Sequence, residues 1–233
     1  MKNFIFSPIQ SFYRNNLYNS LSNKNSFTVI YLNDTQDQYR SEDFIVNNNS
    51  YKKVVLSRMN LIMKILYLTK IIFNPGEKNI FVSGWDSFLY WILVLFSINS
   101  KKIFICDSFE NKNNFHYLKK FFLKKVDQII VPGKIHEKFI KNFGIKKKVH
   151  ITKSVGLLQN FKKKIFREKT QKTIKNIIFI GRVSHEKNIH LFKKLIDKNK
   201  KITLSIYGKD FINFKKEIHQ KYKGRIFYYG AKK

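Results

Sequence analysis

One cysteine in 233 residues excludes an internal disulfide and fits a reducing compartment. That residue, Cys106, follows the apolar run Ile103-Phe104-Ile105 and reads as a small buried hydrophobe rather than a nucleophile. Acidic residues are also scarce, with 15 Asp and Glu against 46 Lys and Arg, a net charge of +31. The longest apolar stretch, 88–98, is far short of the ~20 residues that cross a bilayer. A signal-peptide core is missing as well, because Pro8 and Gln10 follow the first apolar residues directly. Together these absences predict a cytoplasmic protein, with room for peripheral contact at the inner face of the membrane. Histidines are few and form no metal constellation: His185 and His190 miss the spacing of a shared helix face, and His136 and His150 have no evident chemical role. No metal site and no cofactor are expected, and no repeat of solenoid period is present.

What the chain does have is apolar surface and positive charge. A hydrophobic fraction of 43% and an aromatic fraction of 16% suffice for a packed core. The charge reads two ways. It attracts phosphate, whether in nucleic acid, anionic lipid or a nucleotide ligand, or it is a solvated surface of dispersed lysines in a chain rich in Lys, Asn, Ile and Phe. A nucleic-acid-binding protein is the weakest of these readings, since neither an RNA-recognition signature nor a helix-turn-helix pattern occurs.

Short apolar runs alternate with longer amphipathic ones, which predicts βα units and a parallel sheet. Strands are expected at 3–6, 27–32, 79–83, 102–106, 128–131 and 149–152. Helices are expected at 9–21, 56–73, 115–125 and 135–143, with an apolar one opening after Asp86 or Ser87. The polar stretch 33–50 reads as a loop, and Asn74-Pro75-Gly76 as a helix stop. A second series follows, with strands at 177–180, 202–207 and 226–229 and helices from about 188 and over 211–222. The domain expectation is 1–160, a basic linker at 161–175, and 176–233.

The densest chemistry lies in Ile177-Ile178-Phe179-Ile180-Gly181-Arg182-Val183-Ser184-His185-Glu186-Lys187-Asn188. A buried strand ends at a glycine, a turn carries Arg182 and Lys187, and a helix begins. Gly181 permits close backbone approach, and the free N–H groups of a helix start favour an anion. Arg grips phosphate with two parallel bonds, while Lys acts as a point charge. The competing reading is an ordinary βα loop with two surface cations.

The string IFIGRVSHEKNIHLF resembles the GR…EK motif that opens the second domain of family-4 glycosyltransferases. The resemblance implies that Gly181, Arg182 and Lys187 bind the diphosphate of a nucleotide-sugar donor, UDP- or GDP-linked. ITLSIYGKD and RIFYYGAKK resemble the following strands and their glycine turns. VDQIIVPGKIHEKFIKNFGI, FVSGWDSFLYW and IFICDSFENK resemble segments of the acceptor-side domain. The implied fold is α/β and GT-B-like, two Rossmann-type βαβ domains. The implied reaction is hexosyl transfer, with retention, to a cell-surface glycan or lipid-linked acceptor in polysaccharide biosynthesis.

The departures are specific. Family members carry two glutamates separated by seven residues that hold the donor sugar and ribose, and no two glutamates here have that spacing. Ser7-Pro8-Ile9-Gln10 replaces the family's glycine-rich first loop. The chain stops after the third strand of the second series, so that domain is expected to be incomplete and truncated, with a sheet edge or face that a partner would cover. The alternative to an active transferase is a non-catalytic remnant or one half of a split enzyme.

In the first domain, Asp107 is a candidate catalytic group and Ser108 an acceptor-side candidate, with helix capping as the rival role for both. Gly84, Trp85 and Asp86 are further acceptor-side candidates; Trp85 stacks on a sugar ring or packs in the core. The helix at 115–125 interleaves aromatics with lysines. It faces anionic lipid, or its Phe and Leu pack inward while its lysines meet water.

Overall fold

The computed structural model describes residues 1–34, 49–107, 115–152 and 176–230. The basic segment 161–175, Ser108 and most of the polar loop 33–50 lie outside the described residues. The chain forms two compact units, Met1–Phe161 and Lys162–Lys233.

Among the described residues of the first unit, seven strands form one parallel sheet: β1 Lys2–Ser7, β2 Thr28–Tyr31, β3 Lys52–Val55, β4 Lys78–Val82, β5 Ser100–Ile105, β6 Gln128–Val131 and β7 Val149–Ile151. Their order is β3-β2-β1-β4-β5-β6-β7. The chain steps outward from β1 to β3, returns to place β4 beside β1, and steps outward again on the far side. β1 and β4 therefore form a switch point, and open α/β sheets bind ligands outside the carboxyl ends of the strands at such a point.

Side chains alternate across the sheet. Phe6, Ile30, Ile80, Val82 and Phe104 serve one core, and Ile5, Val29 and Phe81 the other. Four helices cover the first face: α2 Leu61–Ile72, α3 Phe88–Phe96, α4 His116–Lys125 and α5 Lys134–Lys141. They bury Ile71, Leu93, Phe122 and Ile140 in a single core that also holds Cys106. On the opposite face α1, Phe12–Ser22, lays Tyr18 against Phe27 and Tyr51. A chain of buried hydroxyls lies beneath it. Tyr31 and Tyr51 approach to 2.8 Å, and the Tyr51 hydroxyl donates to Asn15 Oδ1 at 2.6 Å. Burial pushes the Tyr51 phenol up to about 12, and moves Tyr31 in the same direction.

Two elements differ from expectation. β3 was not anticipated, because it is a four-residue edge strand whose first two residues are exposed lysines. The helix expected at 56–73 is divided: Leu56–Arg58 is a 3-10 turn, and Asn60 Oδ1 accepts the Met63 N–H at 2.8 Å. That cap starts α2 at Leu61.

The second unit contains β8 Asn176–Ile180, β9 Thr203–Tyr207 and β10 Ile226–Gly230, parallel and in the order β10-β9-β8. Two helices, α6 His190–Lys198 and α7 Phe214–Lys221, cover one face and bury Ile196, Phe214 and Ile218 against Leu204 and Ile206. α7 starts later than the sequence suggests, because the Asp210 carboxylate accepts the N–H groups of Ile212 and Lys215 at 3.0 and 2.8 Å and holds a turn there. On the other face Ile178 and Ile180 are 64% and 81% exposed.

Three cations are consumed at the amino-terminal edges of the sheets. Lys78, at the start of β4, is buried, and its Nζ donates to the carbonyls of Asn74 and Ile98, both at 2.7 Å. Lys147, just before β7, donates to the carbonyls of Lys124, at 2.7 Å, and Val126. Arg225, just before β10, donates to the Ile196 carbonyl at 2.6 Å and also to that of Asn199. Each satisfies carbonyls at a helix C-terminus, where the helix dipole also favours positive charge.

Candidate functional site

At the carboxyl edge of the second unit, backbone meets backbone. Gly181 follows β8 with φ +148° and Gly208 follows β9 with φ +156°. A Cβ on Gly208 would fall 1.8 Å from the Gly181 carbonyl oxygen, so no side chain fits there. Hydrogen bonds lock the approach: Gly181 N–H donates to the Tyr207 carbonyl at 2.9 Å, and Gly208 N–H to the Gly230 carbonyl at 2.8 Å. The Tyr228 hydroxyl donates to the Gly208 carbonyl at 2.5 Å.

The chain then turns outward. Arg182 is exposed, Val183 is fully buried as an anchor, and His185–Lys187 forms a 3-10 turn. Asn188, with φ +51°, closes that turn in the left-handed region, so α6 begins at His190 rather than at 188. Arg182 and Lys187 both reach solvent, on either side of the Val183 anchor.

The chain has only six arginines among its 46 basic residues, and four lie in described segments. Arg14 donates to Ser7 Oγ at 2.7 Å, Arg58 pairs with Asp34 at 2.7 Å, and Arg225 engages the carbonyls of α6. Arg182 makes no ion pair or hydrogen bond with a described residue. Where lysine is the default cation, a guanidinium marks a site that uses its fork, and at Arg182 the fork is open.

In the first unit, the carboxyl ends of β1, β4 and β5 gather a second set of groups. Gly84 has φ +131°, and a Cβ there would sit 2.6 Å from Asp86 Oδ1. Asp86 and Asp107 are exposed. Arg14 Nη2 lies 3.8 Å from Asp107 Oδ2, so Arg14 links Ser7 on β1 to a residue two positions beyond the end of β5. Sequence reading missed Arg14 and Ser7, which lie far from Asp107 along the chain; the rarity of arginine was the available signal. Asp107 does not cap α4, whose first turn begins behind Phe115. Tyr90 and Ser11 each bury a hydroxyl that has no partner among the described residues, and burial, with the Asp86 charge next, pushes the Tyr90 phenol upward. This edge offers donors and acceptors to a hydroxyl-rich ligand.

Trp85 is differently employed. Its ring packs on Phe104 at 5.1 Å and on Phe139 and Phe143 at 6.0 and 6.1 Å, with Lys119 Nζ 5.1 Å from its centre. These contacts are those of the core-packing alternative for Trp85, which is half-buried. α4 departs from the inward-packing reading: Phe122 and Leu123 are buried, yet Tyr117, Leu118 and Phe121 are 84%, 51% and 45% exposed. Among the described residues no three His, Cys, Asp or Glu side chains converge as a metal site, and no helix is long and apolar enough to cross a membrane.

No protein-family model matches this sequence, and no curated protein matches it. Solved structures do match in backbone. HepE of Anabaena, in complex with UDP and glucose, superposes with a TM-score of 0.59 at 11% identity, over 99% of this chain and 69% of that one. The lipopolysaccharide outer core galactosyltransferase WaaB gives 0.60 at 13% identity, over 100% and 68%. UDP-GlcNAc 2-epimerase from Neisseria meningitidis, bound to UDP-GlcNAc, gives 0.53 at 15% identity, over 100% and 73%. The fold is thus α/β and matches that of the GT-B glycosyltransferases, which related epimerases share.

Proposed function

We propose that the second unit binds the diphosphate of a nucleotide sugar and that the protein is a glycosyltransferase of the family-4 type, acting on a glycan or lipid-linked acceptor. The observation that carries this reading is the uncommitted Arg182 guanidinium, with exposed Lys187, beside the Gly181–Gly208 backbone contact. The glycines leave the strand ends free of side chains where a ligand approaches, and the two cations oppose the charge that develops on a departing nucleoside diphosphate. UDP stands in two of the matched structures, which supports a uridine nucleotide. In the first unit, Asp107 beside Arg14, with Ser7, Gly84 and Asp86, is the acceptor-side set. Work on a lipid-linked acceptor fits a cytoplasmic protein that touches the inner face of the membrane.

Calorimetric titration with UDP, GDP and their sugars tests the reading. A uridine nucleotide should bind, with Arg182→Ala weakening it about tenfold or more, the worth of a charge-assisted pair. Equal affinity in parent and Arg182→Ala, or no binding of either nucleotide, overturns the proposal. Product analysis separates transfer from epimerisation: transfer frees the nucleotide, whereas epimerisation leaves the altered sugar attached to it.

A further inference from the structure

The helical layer on one face of the first unit is apolar on both sides. α2, α3 and α4 send Ile71, Leu93 and Phe122 into a common core, so their opposite sides look away from the sheet. A surface helix ordinarily turns polar residues outward. Here Ile62 and Leu66 are 70% and 64% exposed on α2, Phe96 is 60% exposed on α3, and Leu118 and Phe121 are exposed on α4. The helices adjoin: Ile98 N–H, just beyond α3, donates to the carbonyl of Ile72 at the end of α2, and α3 packs on α4. Bare apolar surface of this extent marks an interaction site.

The charge on the layer selects its partner. The three helices hold six lysines, at 64, 70, 119, 120, 124 and 125, and no aspartate or glutamate. From 44 to 76 the sequence contains no acidic residue at all. An apolar stripe on helices whose charged side chains are all cations is the pattern of a surface that sinks into the acyl boundary of an anionic leaflet while lysines hold the headgroups.

We propose that the outer face of α2–α3–α4 is a membrane-docking surface for anionic phospholipid, with the exposed ridge of α2 as its inserting edge. It locates the membrane contact suggested above and is independent of the donor site, since pure lipid is its ligand. The test uses the full chain and sedimenting vesicles of phosphatidylglycerol and phosphatidylcholine in equal parts, beside vesicles of phosphatidylcholine alone. The parent should sediment with the anionic vesicles and stay in solution with the neutral ones. Ile62→Ser with Leu66→Ser should reduce binding at least tenfold, and Lys64→Gln with Lys70→Gln about fivefold per lysine. Ile62, Leu66 and Lys70 are exposed and Lys64 is half-buried, and far-ultraviolet circular dichroism of each variant checks that it folds. A second pair, Leu118→Ser with Phe121→Ser, should weaken binding less than the α2 pair. Anionic-vesicle binding unchanged in the folded α2 variants overturns the proposal. So does a concentration-dependent dimer that the α2 variants abolish while the parent ignores both vesicle types, because the face would then meet a second copy of the chain. Nucleotide titration without vesicles is a separate measurement, so the two proposals fail separately.

Discussion

The two edges of the sheets use positive charge in opposite ways. At the amino-terminal edges, Lys78, Lys147 and Arg225 are drawn in, and each spends its N–H groups on helix-end carbonyls. At the carboxyl-terminal edge of the second unit, Arg182 and Lys187 remain exposed, set out by a backbone that packs glycine against glycine. A net charge of +31 is therefore not one property. Part of it closes the fold, and part of it stands ready for a ligand. The difference lies in the neighbours each cation meets, which composition does not record.

Four substitutions or conditions probe that contrast. Gly208→Ala should have the largest effect, because its Cβ would overlap the Gly181 carbonyl and its φ of +156° disfavours a side chain. A loss of about 3 kcal/mol or more in urea unfolding of the second unit is expected, together with loss of nucleotide binding. Lys78→Met should come next, leaving buried carbonyls without a donor at a cost of about 2 kcal/mol in the unfolding of the first unit. Arg182→Ala should invert the pattern, with stability held within about 0.5 kcal/mol while nucleotide affinity falls. A stability loss as large as that of Lys78→Met would erase the distinction between the two edges.

The smallest effect concerns pH. Burial, with the nearby Lys102 charge next, holds the Lys78 amine below the ordinary lysine value of 10.5. The unfolded chain then binds this proton more tightly than the folded one. Its contribution to stability is present above 10.5 and is lost as pH falls through the lower folded value. The gap in urea midpoint between parent and Lys78→Met should widen from pH 8 to pH 10, and a narrowing gap would contradict the sign.

Much of the fold was legible because buried parallel strands read as short apolar runs: β4, β6, β8 and β10 lie within about two residues of where hydrophobic pattern put them. β3 escaped because an edge strand needs little apolar surface, and Lys52-Lys53-Val54-Val55 offers little. The start of α2 was hidden by an apolar run that continued through a 3-10 turn, with only Asn60 to mark the boundary. At the site, Gly181, Arg182 and Lys187 were legible because they are local in sequence. Arg14 was not, since its link between Ser7 and Asp107 exists only once β1 and β5 are brought to the same edge. Trp85 was legible as a residue at the right edge, while its packing on three phenylalanines from distant segments was not.

The burial of Lys78 has one further consequence, for chemical reactivity. Most lysines among the described residues are exposed and open to acylating reagents, whereas Lys78 is 2% exposed with its amine turned onto carbonyls. Its amine can be acylated only when the end of α2 and the start of β4 come apart together. The rate at which a lysine-directed reagent labels this one position is therefore a clock for the opening of the first unit.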